Sequence, residues 1–237
     1  MDTPLERIKD DLRKKANPEK AKILSRFFKT GKGEYGEGDI FLGIVVPEQR
    51  KIARMYSDLP LKDLKGLLSG KTHEHRLVAL FILVLKYKKA DSSARKGIFD
   101  FYVNHMTHIN NWDLVDLSAP NIMGDYLLTR DRSILYDLAR SEDLWQKRIA
   151  VMSTFTFIKN NQFEDTFRIA KLLLWDKHDL IHKAVGWMLR EVGKRDRNAE
   201  EDFLKKHCRI MPRTMLRYAI EKFDEEDRRF YLRKNPA

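Results

Sequence analysis

Apolar residues recur at helical spacing along nearly the whole chain, and proline and glycine cut that recurrence into segments. Leu5, Ile8 and Leu12 line one side of residues 4–15. Asn17-Pro18-Glu19 supplies an N-cap followed by proline at the first helical position, and Ile23, Leu24, Phe27 and Phe28 continue the apolar pattern. Pro47 and Pro60 open two more helices, the second ending near Gly70. Residues 73–89 are apolar on most sides, with Leu77, Val78, Leu80, Phe81, Ile82, Val84 and Leu85, so this helix is expected to pack between neighbours. Further helices are expected over 92–107, 111–128 (broken near Pro120), 131–140, 143–160, 163–175, 178–195, 198–207 and 212–222. The basic tail from Arg228 to Ala237 is expected to fray. No segment reads as a strand, and the short loops suit antiparallel helix pairs. The expected fold is all-α, one domain over residues 1–237.

A longer period lies on top of the helical one. His75-Arg76-Leu77-Val78-Ala79, Lys147-Arg148-Ile149-Ala150, His182-Lys183-Ala184-Val185-Gly186 and Leu216-Arg217-Tyr218-Ala219 each place a basic residue just before small and apolar ones. With Trp112 in the gap, the positions 76, 112, 148, 183 and 217 lie 36, 36, 35 and 34 residues apart. A period in the mid-thirties with two helices per unit marks a helical-repeat array, which stacks into a superhelical solenoid with a concave face. Equivalent positions then carry Arg76, Trp112, Arg148, Lys183 and Arg217, and a row of cations matches the charge repeat of a phosphate backbone. Taken singly, each arginine serves equally well as a salt-bridge partner inside the stack.

The helix at 178–195 carries two stripes. Ile181, Ala184, Val185, Met188, Leu189 and Val192 form the apolar one, whereas Lys183, Trp187, Arg190 and Lys194 form a basic and aromatic one on another face. Such mixtures bind nucleic acid by stacking and phosphate contact; a groove between repeats is the plainer use of Trp187. Arg148 starts in apolar company and needs a carboxylate, for which Asp113 or Asp116 is the candidate.

The charge balance sharpens the choice of partner. Lys and Arg number 46 against 35 Asp and Glu, a formal charge of +11 and a pI near 9.6. That favours a polyanion, nucleic acid before an anionic membrane. The single cysteine, Cys208, excludes an intramolecular disulfide and a zinc-finger framework, and its neighbour His207 points elsewhere on a helix. Gly31 to Gly38 is glycine-rich but lacks the Gly-Lys-Ser/Thr ending and a preceding strand of a phosphate loop, so a mobile connection is expected rather than a nucleotide site. With no apolar leader and no run long enough to span a bilayer, the expectation is a cytoplasmic monomer without cofactor or metal.

The segment that concentrates candidate chemistry is Asn110-Asn111-Trp112-Asp113-Leu114-Val115-Asp116. Trp112 and Asp116 are four apart and share a helical face, with Asp113 beside them. An indole next to a carboxylate suits a substrate that develops positive charge; a core tryptophan with solvated aspartates is the plain alternative.

These residues, together with Asn17-Pro18-Glu19-Lys20-Ala21, Phe41-Leu42-Gly43-Ile44 before Pro47-Glu48-Gln49-Arg50, Trp145-Gln146-Lys147-Arg148 and Lys183 through Glu191, resemble the AlkD-type DNA alkylation repair glycosylases. The likeness runs from about Asn17 to about Phe223 in the family order. It implies stacked HEAT-like repeats whose basic concave face holds duplex DNA, and hydrolysis of the N-glycosidic bond of cationic N3- and N7-alkylpurines. It also implies Asp116 as the catalytic carboxylate, Trp112 and Trp187 as aromatic walls, and Arg148 as the adjacent cation. Two departures stand out. Asn111 replaces a tryptophan of some relatives, and Lys29–Asp39 is longer and richer in glycine. The chemistry is self-consistent. Glycosidic cleavage passes through an oxocarbenium-like sugar that a fixed carboxylate stabilises, and a cationic base leaves without a general acid. The face reads as shallow, with no obvious pocket-forming loops. A non-enzymatic protein binding damaged, bent or branched DNA, and a protein-binding scaffold, are the alternatives.

Overall fold

The structure is a computed structural model that describes residues 3–233, and the chain forms two compact units, residues 1–118 and 119–237. The described residues are helical, without a strand; one isolated parallel bridge pairs Ile40 with Thr72.

The first unit comprises α1 (Pro4–Arg13), α2 (Pro18–Phe27), α3 (Val46–Met55), α4 (Leu61–Leu68), α5 (His73–Lys89), α6 (Ser92–Asn104) and most of α7 (Trp112–Ala119). The expected starts hold for local reasons. Asn17 Oδ1 accepts from Lys20 N at 2.9 Å ahead of Pro18, and Thr3 forms a reciprocal capping box with Glu6. Helix α5 is the centre of the unit, packed by α1, α3, α4 and α6, and Leu77 through Leu83 are all buried. This is the physical meaning of a helix apolar nearly all round.

Residues 29–45 form a hydrogen-bonded connection. Gly36 N donates to Lys29 O, Gly31 N to the Glu34 carboxylate and Gly33 N to that of Glu37. Gly43 sits at φ +82° where a Cβ would lie 2.1 Å from Asn17 O, so the two sequence segments Asn17–Ala21 and Phe41–Ile44 meet backbone to backbone there.

The second unit holds a π-turn at Pro120–Gly124, α8 (Asp125–Leu127), α9 (Ser133–Arg140), α10 (Leu144–Lys159), α11 (Glu164–Leu172), α12 (Asp179–Gly193), α13 (Arg197–His207), α14 (Arg213–Ala219) and α15 (Glu225–Leu232). The expected break near Pro120 is this π-turn, a widening suited to a residue without an N–H. The turn's Pro120 carbonyl accepts from Thr156 Oγ1 at 2.6 Å. Helices α10, α12 and α14 pack successively on one another, with α9, α11 and α13 against their sequence neighbours, the nearest-neighbour pattern of repeat arrays. At Gly186 the backbone of α14 comes so close that a Cβ would lie 2.3 Å from Met215 O. The tail expected to fray is helical through Leu232, with Tyr231 buried; residues 234–237 lie outside the described ones.

Candidate functional site

The first unit builds its site around the amino end of α7. Trp112 is half-buried and lies flat on Phe28, ring centres 5.1 Å apart and planes 9° from parallel. Phe28 in turn stacks on Phe41 at 5.0 Å, and Phe41 on the His73 ring at 4.5 Å. Phe27, 61% exposed, meets Trp112 edge-on at 6.0 Å. Trp112 therefore rests on an aromatic pile and keeps part of its surface open.

Beneath this pile is a buried ionic network. His73 Nε2 lies 2.8 Å from Asp113 Oδ2 and Nδ1 lies 3.1 Å from Asp39 Oδ2. Arg76 approaches the same Asp39 oxygen at 2.5 Å and donates to Asn110 Oδ1 at 2.8 Å. Burial disfavours a charged His73 ring, but its bonds to Asp113 and Asp39 outweigh that and raise its pKa above 6.5. Asp39 is held below the ordinary carboxylate range because His73 and Arg76 outweigh its own burial. The neighbouring Glu74 carboxylate accepts from three backbone N–H groups, those of Leu42, Gly43 and Ile44.

Asp116 stands one turn along α7 from Asp113 and is half-buried. Its negative charge reaches the fully buried Tyr102, whose phenol is pushed up chiefly by burial, against the lowering effect of its 2.9 Å bond with Ser118 Oγ, with Asp116 adding a smaller upward push. Asp113 and Asp116 are thus differentiated by the fold. Asp113 is engaged by His73, whereas Asp116 sits on the face shared with Trp112.

The two sequence departures occur side by side. Asn111 is fully buried, accepts from Trp112 N at 2.8 Å, and contacts Asp39 through Nδ2 at 3.5 Å. A Cβ on Gly36 would lie 3.4 Å from Asn111 Nδ2. The glycine-rich connection packs onto the Asn111 side chain, and an indole at 111 would have to displace it. Phe28, Phe41, Ile44, Gln49, His73 and Asp113 are among the residues lining a largely apolar pocket of about 290 Å³.

The second unit presents α12 as expected. Ile181, Ala184, Val185, Met188, Leu189 and Val192 are buried, and Lys183, Trp187, Arg190 and Lys194 emerge on the other side. Trp187 Nε1 donates to Glu191 Oε1 at 3.0 Å, and its ring lies 6.3 Å from Phe155. Phe155 also carries Lys159 Nζ over its face at 4.2 Å. The cations have local carboxylate partners: Lys183 with Asp179 at 2.6 Å, Lys194 with Glu191 at 2.6 Å, and Arg190 with Glu221 and Glu191. Of these, Lys183–Asp179 is exposed on both sides and therefore weak, whereas Arg190 and Glu191 are largely buried. Arg217 is exposed on α14.

Two members of the expected cation row are buried, as the apolar company of Arg148 in the sequence predicts for that residue. Arg76 is 5% exposed and lies against Asp39 inside the first unit. Arg148 is also 5% exposed, and its Nη1 donates to Leu180 O at 2.6 Å. Asp113, one of the two carboxylates considered for it, is held by His73. A basic residue ahead of an apolar run is what a buried cation and a phosphate contact both look like in sequence. His73, Asp39, Glu74 and Phe155 carry no local signal in the sequence, because their contacts join residues far apart, 40 positions in the case of His73 and Asp113.

A family model described as "DNA alkylation repair enzyme" matches residues 8–223. Among solved structures, a predicted DNA alkylation repair enzyme from Enterococcus faecalis superposes with a TM-score of 0.70 at 18% identity, covering 89% of this chain and 98% of that one. AlkD2 from Streptococcus mutans superposes with a TM-score of 0.55 at 17% identity, covering 88% and 99%. No curated protein matches. No helix of the described residues is long and apolar enough to cross a membrane.

Proposed function

The chain belongs to the DNA alkylation repair enzyme family, and from that premise we propose that it is a DNA N-glycosylase releasing cationic N3- and N7-alkylpurines from duplex DNA. The observation that carries this reading is the half-buried Asp116 carboxylate on the same face of α7 as the half-buried, stacked Trp112. As the glycosidic bond breaks, positive charge develops on the sugar. A carboxylate already in place stabilises that charge and orients the attacking water. The departing base carries its own positive charge, so no second carboxyl has to protonate it. Indole faces at Trp112 and Trp187 favour cations by roughly 0.5–2 kcal/mol. Lys183, Lys194, Arg190 and Arg217 supply cations for the phosphates. Arg148, buried and bonded to the Leu180 carbonyl, supports α12 in this reading.

The test is base release from a methylated duplex. Wild type liberates N7-methylguanine, and Asp116→Asn loses release while retaining duplex affinity. An Asn variant that excises at the wild-type rate removes Asp116 from the chemistry. A wild-type protein that binds the methylated duplex but releases nothing is instead a non-enzymatic binder of damaged DNA.

A further inference from the structure

We infer that His73 is a positioning residue for the reaction at α7: held between Asp39 and Asp113 and stacked under the aromatic pile, its imidazolium fixes the turn that carries Trp112 and Asp116. The inference rests on the glycosylase reading for its kinetic consequence and on geometry alone for its structural one.

Three independent contacts converge on this ring. Nε2 bonds Asp113, the residue after Trp112, at 2.8 Å. Nδ1 bonds Asp39, whose other partners are Arg76 and Asn111, at 3.1 Å. The ring faces stack on Phe41 at 4.5 Å and touch Phe28 at 4.9 Å, and Phe28 is the platform of Trp112. His73 thus touches both supports of Trp112, the backbone anchor beside it and the ring beneath it. The residue is itself anchored, since its N–H donates to Ile40 O at 2.8 Å.

The protonation state follows from the bonding. Ionised carboxylates accept and cannot donate, so both ring contacts are hydrogen bonds only when both nitrogens carry hydrogen. The charged groups facing the ring are Asp39 from the loop before α5, Asp113 from α7 and Arg76 from α5 itself; Glu74 of α5, bonded to the 42–44 backbone, and Lys20 of α2 line the same pocket. The network of His73, Arg76, Asp39 and Asp113 is neutral with the ring charged. Loss of the proton leaves one carboxylate facing a nitrogen lone pair, and that repulsion loosens the α7 anchor. Its raised pKa keeps the ring charged above pH 6.5, and the bond is lost as pH rises through the folded-state value.

Two measurements test this. The first needs no catalysis: wild-type protein labelled with 5-fluorotryptophan, the resonances assigned by single Trp→Phe replacements, is titrated with alkali. The Trp112 resonance is expected to shift at the pH where the His73 ring loses its proton, and a Trp112 resonance indifferent to that titration overturns the proposal. The second is the single-turnover rate of N7-methylguanine release for wild type, His73→Gln and His73→Phe. Misplacing the turn lowers that rate by about tenfold to a hundredfold, with duplex affinity unchanged, and the alkaline decline of the wild-type profile disappears in the variants. Gln, whose amide N–H groups can still donate to a carboxylate, retains more activity than Phe, which can donate to neither. A folded His73→Phe with the wild-type rate and wild-type pH profile also overturns the proposal; if that variant does not fold, the fluorine titration and the Gln variant decide. A wild-type protein that releases no base defeats the glycosylase reading alone, and the fluorine titration then tests the role of His73 independently of catalysis.

Discussion

Glu74 offers the most quantitative test of how the first unit is held together. The side chain is 1% exposed, and its carboxylate accepts from Leu42 N at 2.9 Å, Gly43 N at 2.8 Å and Ile44 N at 3.2 Å. These bonds tie the 41–44 segment, and with it Phe41, to the start of α5. Replacing Glu74 by Ala strands three N–H groups. A hydrogen bond to a charged group contributes roughly 1.5–3 kcal/mol, and a buried donor left unmet costs about 1–3 kcal/mol. Water entering the vacated volume recovers part of this, leaving a loss of about 3–5 kcal/mol. That is a large share of the roughly 5–15 kcal/mol that holds a domain folded. At about 2–4 °C per kcal/mol for a chain of this size, Glu74→Ala should melt about 6–20 °C below wild type. Gln keeps one acceptor oxygen but turns its amide hydrogens toward another N–H, so Glu74→Gln should fall between the two. The assay is thermal unfolding by circular dichroism, paired with hydrogen exchange at Leu42, Gly43 and Ile44. An Ala variant that melts with wild type and still protects those three amides would refute the reasoning.

Other consequences are directly measurable. Arg76→Ala should lower the melting temperature and leave the salt dependence of duplex binding unchanged, whereas Arg217→Ala should do the reverse, reducing the salt slope by about 1. Glu200 is buried with one oxygen unpartnered, and burial pushes its pKa up to about 8. Its folded pKa lies above the ordinary 4.5, so the native state binds the extra proton and wild-type stability declines as pH rises from 4.5 toward 8. Glu200→Gln should therefore gain over wild type most near pH 8, with the gap closing toward pH 5, as followed by urea denaturation across pH. Gly186→Ala should destabilise by about 1–3 kcal/mol or more, because the new methyl group meets α14 at Met215 O and Tyr218 Cβ; a wild-type urea midpoint would contradict the close approach.

The helices were legible because their causes are local. Asn17 before Pro18, Pro47, Pro120 and the apolar faces act within a turn or two of themselves, and the observed elements start and stop within a few residues of expectation. The two stripes of α12 were legible for the same reason, since a helix assigns faces by spacing alone. The path of the glycine-rich 29–39 connection was not, because what holds it is the packing of Gly36 on Asn111 and of Asp39 on His73 and Arg76. The roles of individual charges were out of reach for a related reason. Arg76 and Arg217 occupy equivalent places in the same period, yet one is buried against Asp39 and the other is exposed. Whether a charge meets a carboxylate or a phosphate depends on what the fold brings to it from distant positions. Tertiary structure alone separated Asp113 from Asp116, two carboxylates three residues apart, by placing a histidine against one of them.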